Sequence, residues 1–196
     1  MSVRLSILMP TIWSRRMMFK VLYSKLERLV HGYSAEIIAV LDNKMRTIGA
    51  KCNDLITMAR GDYLTFVDDD DDVSVDYVDK IMESVEDAVR MPQPPEVINY
   101  QVSCVVESRE GVITRGVVLP SIHHPNEEFH EGTVLRKPLQ TSVWRSDLAK
   151  SAKWLEANYE ADSHWARQLW PKIKSEVNLP TILYYYRHSA KTTEAS

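Results

Sequence analysis

The sequence predicts an α/β fold in which a mostly parallel sheet is flanked by helices on both faces. Two observations predict it: short, nearly continuous apolar runs typical of buried strands, and longer segments in which apolar residues recur at helical spacing. The two kinds of segment alternate along the first half of the chain, which is typical of a parallel sheet with crossover helices. A third observation is that polar residues follow the apolar runs, at the strand ends where open α/β sheets bind ligands.

The first half of the chain contains three strand and helix pairs. The predicted strands, each a compact apolar run, are residues 5–9, 36–41 and 63–67. The predicted helices, each with apolar residues at helical spacing, are residues 18–29, 48–59 and 78–89. A proline-rich segment, residues 91–95, ends this part of the chain. Pro10, Thr11, Asp42 and Asp68 follow the three strands, so we expect them to share one crevice.

The second half has a different pattern. Residues 97–106 and 112–119 are predicted strands of an antiparallel hairpin with its turn near Gly111. The remaining predicted elements are a loop rich in histidine and acid over residues 123–132, helices over residues 141–152 and 162–170, and a last strand over residues 181–187. We expect a single domain over residues 1–196, with a first half of residues 1–95 and a second half of residues 96–196.

Composition narrows the class of protein. With 196 residues, 44% of them apolar, the chain can bury one sizeable core and is long enough to be an enzyme. The formal net charge is -3, so the chain has no excess of basic residues, which argues against indiscriminate nucleic-acid binding. Cys52 and Cys104 are too few for a disulfide framework and are interpreted as reduced core thiols of a cytoplasmic protein. The apolar run near the N-terminus is too short for a signal-peptide core or a membrane span.

Five consecutive aspartates, residues 68–72, follow the third predicted strand. Neighbouring carboxylates repel one another by roughly 1 kcal/mol even at water-like dielectric, so such a run requires a cation or a helix terminus nearby. In extended backbone Asp68 and Asp70 share one side and Asp69 the other, and paired carboxylates suit Mg or Mn when substrate phosphates complete the shell. Asp71 and Asp72 are expected to cap the following helix.

Residues 68–72 also have features of two other kinds of acidic site, a calcium-binding loop and a phosphatase active site. An EF-hand calcium loop needs glycine at its sixth position and usually glutamate at its twelfth, and Val73 and Asp79 stand there instead.

A haloacid dehalogenase-like phosphatase also places an Asp-x-Asp pair after an apolar strand, with Asp68 or Asp69 as the nucleophile. That pair normally closes the first strand of its domain, whereas two predicted strands precede it here. The phosphatase stays an alternative hypothesis.

Residues 59–77 resemble the central signature of glycosyltransferase family 2, the inverting enzymes of the GT-A fold. The shared features are a Gly-acid-Tyr entry at Gly61, an apolar strand, an Asp-x-Asp-Asp sequence starting at Asp68, and a helix that begins near Tyr77. Residues 6–11, 36–42 and 49–54 resemble the family's first strand, second strand and the stretch before the signature. The resemblance covers roughly the first 90 residues well, and the small size resembles virus-encoded members.

The resemblance implies a donor site for a nucleotide-diphosphate sugar, most commonly a UDP-sugar in this family. The residues that would bind the donor are Pro10, Thr11, Asp42, Lys51, Asp68 and Arg187. Asp70 would ligate Mg or Mn between the two phosphates, with Asp68 beside the metal and the ribose. His188 would approach the metal or the diphosphate.

The resemblance also implies a carboxylate base on the acceptor side, in a pair of acids that starts a helix. Asp162 is the predicted base because it keeps the family's spacing to Trp165 and Leu169, and Glu160 is the alternative. Ala161 separates the two acids, unlike the family pattern, so a non-catalytic module that binds a nucleotide sugar stays a second alternative. The implied acceptor is a hydroxyl of a saccharide or of a hydroxylated base in DNA.

Overall fold

The computed structural model describes residues 2–189. The strands are β1 (Leu5–Ile12), β2 (Ala35–Asp42), β3 (Tyr63–Phe66), β4 (Asp72–Val73), β5 (Val97–Glu107), β6 (Ile113–Pro120), β7 (Glu127–His130), β8 (Thr133–Arg136), β9 (Val143–Arg145) and β10 (Glu176–Ser189). The helices are α1 (Arg16–Leu29), α2 (Ile48–Met58), α3 (Tyr77–Ala88), α4 (Ser146–Ala149) and α5 (Ala161–Leu169), with short 3₁₀ helices at Trp13–Arg15 and Trp170–Lys172. None of the helices in this described part of the chain has the length and apolar content to cross a membrane.

A single twisted sheet runs through the molecule in the order β2-β1-β3-β9-β5-β6-β8-β7. Strands β2, β1 and β3 are parallel, and β10 lies parallel to β5 on the side that β6 and β9 do not use. Antiparallel pairings join β9 to β3 and β5, and form the β5–β6 hairpin. The predicted α/β fold with a mostly parallel central sheet and an antiparallel portion is confirmed.

Strand β1 explains why helices cover both faces of the sheet. Its side chains alternate across the sheet, so Leu5, Ile7 and Met9 pack into one apolar cluster with α1 and α3. Leu8 points to the opposite face and packs into a second cluster with α2 and α5. Such burial on both faces requires the nearly continuous apolar run from which the strand was predicted.

The predicted helix over residues 141–152 is wrong. Residues Val143–Arg145 form β9, and only Ser146–Ala149 are helical. Trp144 pairs with Leu64 of β3 and with Val97 of β5, and its side chain is fully buried among other aromatic rings. Sheet pairing between two strands distant in sequence therefore outweighs the local apolar spacing that predicted a helix.

Two further expectations need correction. The predicted loop over residues 123–132 contains β7, which forms an antiparallel hairpin with β8. Asp71 and Asp72 do not cap a helix, because α3 begins at Tyr77, five residues after Asp72, and Asp72 lies in β4 beside β10. Cys52 and Cys104 are free thiols; Cys52 is buried, as expected of a core thiol, whereas Cys104 is only half-buried.

Candidate active site

The carboxyl ends of β1 and β2 lie side by side, with Ile12 opposite Asp42. Lys51 of α2 joins the two strands, because its Nζ donates to the carbonyl oxygen of Thr11 at 2.9 Å and to Oδ1 of Asp42 at 2.9 Å. The Thr11 hydroxyl in turn donates to Oδ2 of Asp69 at 2.6 Å. Pro10 is buried one residue earlier in β1. The structure therefore brings these sequence-predicted donor residues together in one connected group.

Lys51 is only 2% exposed, and the two groups that it contacts both belong to the protein. Burial raises the pKa of Asp42, but hydrogen bonds from Lys51 and from the backbone N–H of Arg46 outweigh burial, and the net pKa of Asp42 is below its usual range. This geometry makes Lys51 a residue that positions Asp42. Its predicted place near the pyrophosphate or the base of a nucleotide stays a prediction.

The aspartates of residues 69–72 each have a partner within the protein. Arg15, which the sequence analysis did not single out, places its Nη1 3.0 Å from Oδ1 of Asp69 and 2.9 Å from Oδ2 of Asp70. Asp69 and Asp70 therefore converge on one guanidinium, although alternation predicted them on opposite sides. The reason is that residues 69–70 form a turn, where the period of an extended strand does not apply.

Asp71 ties the aspartate run to β10. Its Oδ2 accepts from the hydroxyl of Tyr184 at 2.8 Å, and its Oδ1 accepts from the backbone N–H of Arg187 at 2.8 Å. Burial raises the pKa of Asp71 to about 7, against these two hydrogen bonds, which lower it. The Tyr184 hydroxyl also accepts from the backbone N–H of Asp68 at 3.1 Å. Asp71 and Tyr184 therefore hold the end of β10 beside the aspartate run.

Arg187 has a backbone role in this arrangement, and its exposed side chain lies 3.9 Å from Oδ2 of Asp72. Asp72 is held more closely by Lys25, whose Nζ lies 2.7 Å from Oδ1 of Asp72. The Arg187 side chain is therefore close to the aspartates, and its predicted contact with a donor stays a prediction.

Asp68 differs from the other four aspartates. Within residues 2–189 its carboxylate makes no hydrogen bond or ion pair. Burial raises the pKa of Asp68 well above its usual range, and the negative charges of the three following aspartates and of Asp162 raise it further. A carboxylate surrounded mainly by other carboxylates is stabilised only by a cation or a proton, so Asp68 is the least satisfied acid of the run.

The run fits a divalent metal only in part. Among residues 2–189, no three histidine, cysteine or acidic side chains are arranged to hold a metal by themselves. Asp68 and Asp70 can supply two carboxylates, which is the usual protein share of a Mg site completed by water and substrate phosphates. His188 packs parallel to the ring of Tyr186, with centroids 6.5 Å apart. A role for His188 as a metal ligand therefore gains no support from this arrangement and stays a prediction.

Glu160 and Asp162 flank the start of α5. Glu160 precedes the helix in a left-handed backbone conformation, with φ of 57°, and Asp162 lies in the first helical turn. A cavity of about 130 Å³ beside them is also lined by Asp68. The structure therefore places both predicted bases and one predicted donor residue around the same small cavity. We call it the catalytic cavity, after the predicted bases that line it, and define it by Asp68, Glu160 and Asp162.

The segment before α5 is fixed to the helix that carries Lys51. The backbone N–H of Gly49 donates to the carbonyl oxygen of Ala157 at 3.2 Å, and Asn53 exchanges two hydrogen bonds with the backbone of Trp154. A Cβ on Gly49 would lie 1.7 Å from the carbonyl oxygen of Leu155, so only glycine permits this approach. The position of Asp162 relative to the strand ends is therefore set by backbone contacts.

No family model matches the chain, and no curated protein matches it. Solved structures do share the fold. TarS residues 1–349 of S. aureus, in complex with UDP-GlcNAc, is 13% identical with a TM-score of 0.60, over 94% of this chain and 58% of that chain. The mannosyltransferase PcManGT from Pyrobaculum calidifontis, in complex with GDP-Man and Mn2+, is 12% identical with a TM-score of 0.56, over 94% of this chain and 57% of that chain.

The likeness confirms the predicted GT-A fold. At these sequence identities the structural likeness shows the fold alone. This chain spans less than two thirds of the length of either matched structure.

Proposed function

We propose that the protein is a metal-dependent inverting glycosyltransferase that moves a sugar from a nucleotide-diphosphate sugar to an acceptor hydroxyl. The observation that carries the proposal is the catalytic cavity, where Asp68, Glu160 and Asp162 surround one space next to the ends of the parallel strands. The fold likeness supports it, since structures of this fold were solved with UDP-GlcNAc and with GDP-Man and Mn2+. The family 2 signature in residues 59–77 supports the same function from sequence.

The donor would lie along the ends of β1, β2 and β3. Asp42, held by Lys51, and the end of β1 at Thr11 would bind the base and ribose of the nucleotide. Asp70 and Asp68 would hold Mg or Mn. The metal, when bound, neutralises the charge that develops on the departing nucleoside diphosphate.

The acceptor would be activated by Asp162. A general base must lie within hydrogen-bond reach of the hydroxyl that it deprotonates, and Asp162 borders the catalytic cavity from the first turn of α5. The hydroxyl proton passes to Asp162, and the oxygen bonds to the anomeric carbon. The bond between that carbon and the diphosphate breaks in the same displacement, so the anomeric configuration inverts.

The first experiment measures donor binding. We expect UDP-sugars or GDP-mannose to raise the melting temperature in the presence of Mn2+, because a ligand that binds only the folded protein stabilises it. Asp70→Asn should remove most of the Mn2+-dependent shift. Asp72→Asn is the matched control, since Asp72 pairs with Lys25 and is not a predicted metal ligand, and it should retain the shift.

Two outcomes would contradict the proposal. If no nucleotide sugar shifted the melting temperature while aryl phosphates were hydrolysed, the phosphatase hypothesis would replace it. If a nucleotide sugar bound but was neither transferred nor hydrolysed in wild type, the chain would be a binding module.

A further inference from the structure

The first 3₁₀ helix and α1 together have one side packed on the sheet and one side open to solvent. On the packed side, Leu22 and Leu26 belong to the apolar cluster shared with β1 and α3. Met17 and Val21, four residues apart, are neighbours on the open side of the helix. The large apolar side chains of this side are between 48% and 73% exposed: Trp13, Met17, Met18 and Val21. We call these four residues the outer face of α1.

The same segment concentrates positive charge in a chain that is acidic overall. Residues 13–28 contain five arginines and lysines and a single acid, Glu27, whereas the whole chain has a formal net charge of -3. A helix that combines an exposed apolar stripe with an excess of basic residues is typical of helices that lie on a membrane surface.

The five cations of this segment fall into two groups. Arg15 and Lys25 pair with the aspartate run, at nitrogen-to-oxygen distances of 2.7 to 3.0 Å. Arg16, Lys20 and Arg28 are exposed, and within residues 2–189 they form no ion pair with an acid. The charge of the inner pair is therefore compensated inside the protein, whereas the three outer charges are presented to solvent beside the outer face.

We propose that the outer face of α1 docks on the surface of a bilayer that contains anionic phospholipids. Its apolar side chains enter the boundary between headgroups and acyl chains, and the three outer cations contact the lipid phosphates. Arg16 lies over the ring of Trp13, with 5.0 Å between the guanidinium carbon and the ring centroid, so a cation and an apolar ring reach the surface together. The inference goes beyond the proposed function and does not depend on it.

The charge of the outer face favours a lipid surface over two other partners. In a symmetric dimer of this chain the face would meet its own copy, and unpaired cations on both sides would repel one another. A nucleic acid would compensate the cations, but aliphatic side chains such as Met17 and Val21 do not provide the aromatic stacking that single-stranded binding surfaces use. An anionic bilayer has both a phosphate layer and an apolar interior, so it satisfies both kinds of side chain.

The test is co-sedimentation of the full chain with vesicles of phosphatidylcholine alone or of phosphatidylcholine with phosphatidylglycerol. We expect at least about tenfold tighter binding to the anionic vesicles, because each basic residue near such a surface adds to the affinity. High salt should remove that difference, since it screens exposed charges. Trp13 is the most exposed of the five tryptophans, so the tryptophan emission should shift to shorter wavelength when anionic vesicles are added.

Two variants with matched controls locate the binding surface. Lys20→Glu should weaken vesicle binding about tenfold, whereas Lys153→Glu, the same charge reversal at an exposed lysine outside α1, should leave it nearly unchanged. Val21→Ser should weaken binding several-fold, because the apolar contact with the lipid is lost. Val112→Ser is its control, since Val112 is 62% exposed between β5 and β6. Melting temperatures establish that all four variants are folded.

Three outcomes would overturn the inference. The first is equal binding to both kinds of vesicle, and the second is an equal loss in Lys20→Glu and Lys153→Glu. The third is binding of DNA that Lys20→Glu abolishes, without binding of vesicles, in which case the face would bind nucleic acid instead of lipid. Donor binding, measured separately by melting shift, tests the proposed function and is expected to be unchanged in Val21→Ser.

Discussion

The aspartate run and a second cavity, which is lined by residues such as Val102, Phe129 and Tyr186 and is called the sheet cavity, differ in how completely their polar groups are hydrogen-bonded. Around residues 69–72, each carboxylate is held by a hydrogen bond or an ion pair from the protein, and the Lys51–Asp42 pair beside them is buried. Beside the sheet cavity, Nε of Arg136 and Oε1 of Gln140 are buried without a hydrogen-bond partner among the described residues. The difference indicates that the proposed donor side is organised by contacts within the protein, whereas the proposed acceptor side is satisfied less completely.

Asp68 is the exception on the donor side, and it lies where the two regions meet. Its carboxylate is unpaired within the described residues, and it lines the same catalytic cavity as Asp162. Asp68, Asp162 and Gln140 all line the catalytic cavity, and Asp162 and Gln140 also line the sheet cavity.

The largest expected effect on activity is that of replacing Asp162, which lines both cavities. Asp162→Asn should lower the rate of glycosyl transfer by about 10² to 10⁴, the usual contribution of a general base, while Mn2+-dependent donor binding is retained. Glu160→Gln should lower the rate less than tenfold, because Glu160 precedes the helix and lines only the catalytic cavity. Turnover and donor melting shifts are measured on both variants. A larger loss in Glu160→Gln would move the base to Glu160.

The second prediction concerns the organised donor side. Asp42→Asn should destabilise the protein by about 3 kcal/mol at pH 7, because it leaves Lys51 buried without a charged partner. The folded-state pKa of Asp42 lies below its ordinary value of 3.8, so its contribution is present above that pH and is lost as the pH falls through the lower folded-state pKa. The difference between wild type and variant, measured by urea unfolding, should therefore shrink below pH 3.8.

Asp54→Asn is the control for that prediction. Asp54 forms an ion pair with Arg46, and both side chains are more than two fifths exposed, so solvent screens the pair. We expect a change within the error of the measurement. Equal losses in Asp42→Asn and Asp54→Asn would show that the donor side is not organised by its buried pair.

The sequence predicted the donor side well because its signals are local. Each apolar run and each helical period lies within about a dozen residues, and the polar residues that follow the strands mark the sheet edge. Parallel pairing of β1, β2 and β3 then brings Thr11, Asp42 and Asp68 to the same edge without further information. The roles of individual residues there remain predictions.

The acceptor side depends on pairings between distant segments, which local patterns do not contain. The sheet cavity forms only because β8 lies parallel to β6 and β10 lies parallel to β5. Residues 141–152 were predicted helical for the same reason, since the partners of β9 lie far away in sequence. One part of this cavity could have been predicted from the sequence. Strand alternation places Tyr184 and Tyr186 on one face of the sheet, and both line the sheet cavity.

No sequence pattern indicated a role for Arg15, and its replacement has the smallest expected effect. Its guanidinium contacts both Asp69 and Asp70 at about 3 Å, so its positive charge opposes the binding of a metal cation at Asp70. Arg15→Ala should therefore tighten Mn2+ binding to the donor-free protein several-fold, equivalent to about 1 kcal/mol for a partly exposed ion pair. Electron paramagnetic resonance of free Mn2+ measures the affinity directly.

The neighbouring arginine provides the control for this prediction. Arg16 lies over the ring of Trp13, with 5.0 Å between the guanidinium carbon and the ring centroid, and it makes no ion pair with the aspartate run. Arg16→Ala should leave Mn2+ affinity unchanged. Weaker Mn2+ binding in Arg15→Ala would mean that Arg15 holds Asp70 in place for the metal instead of competing with it, and the donor side would then be organised by that ion pair as well.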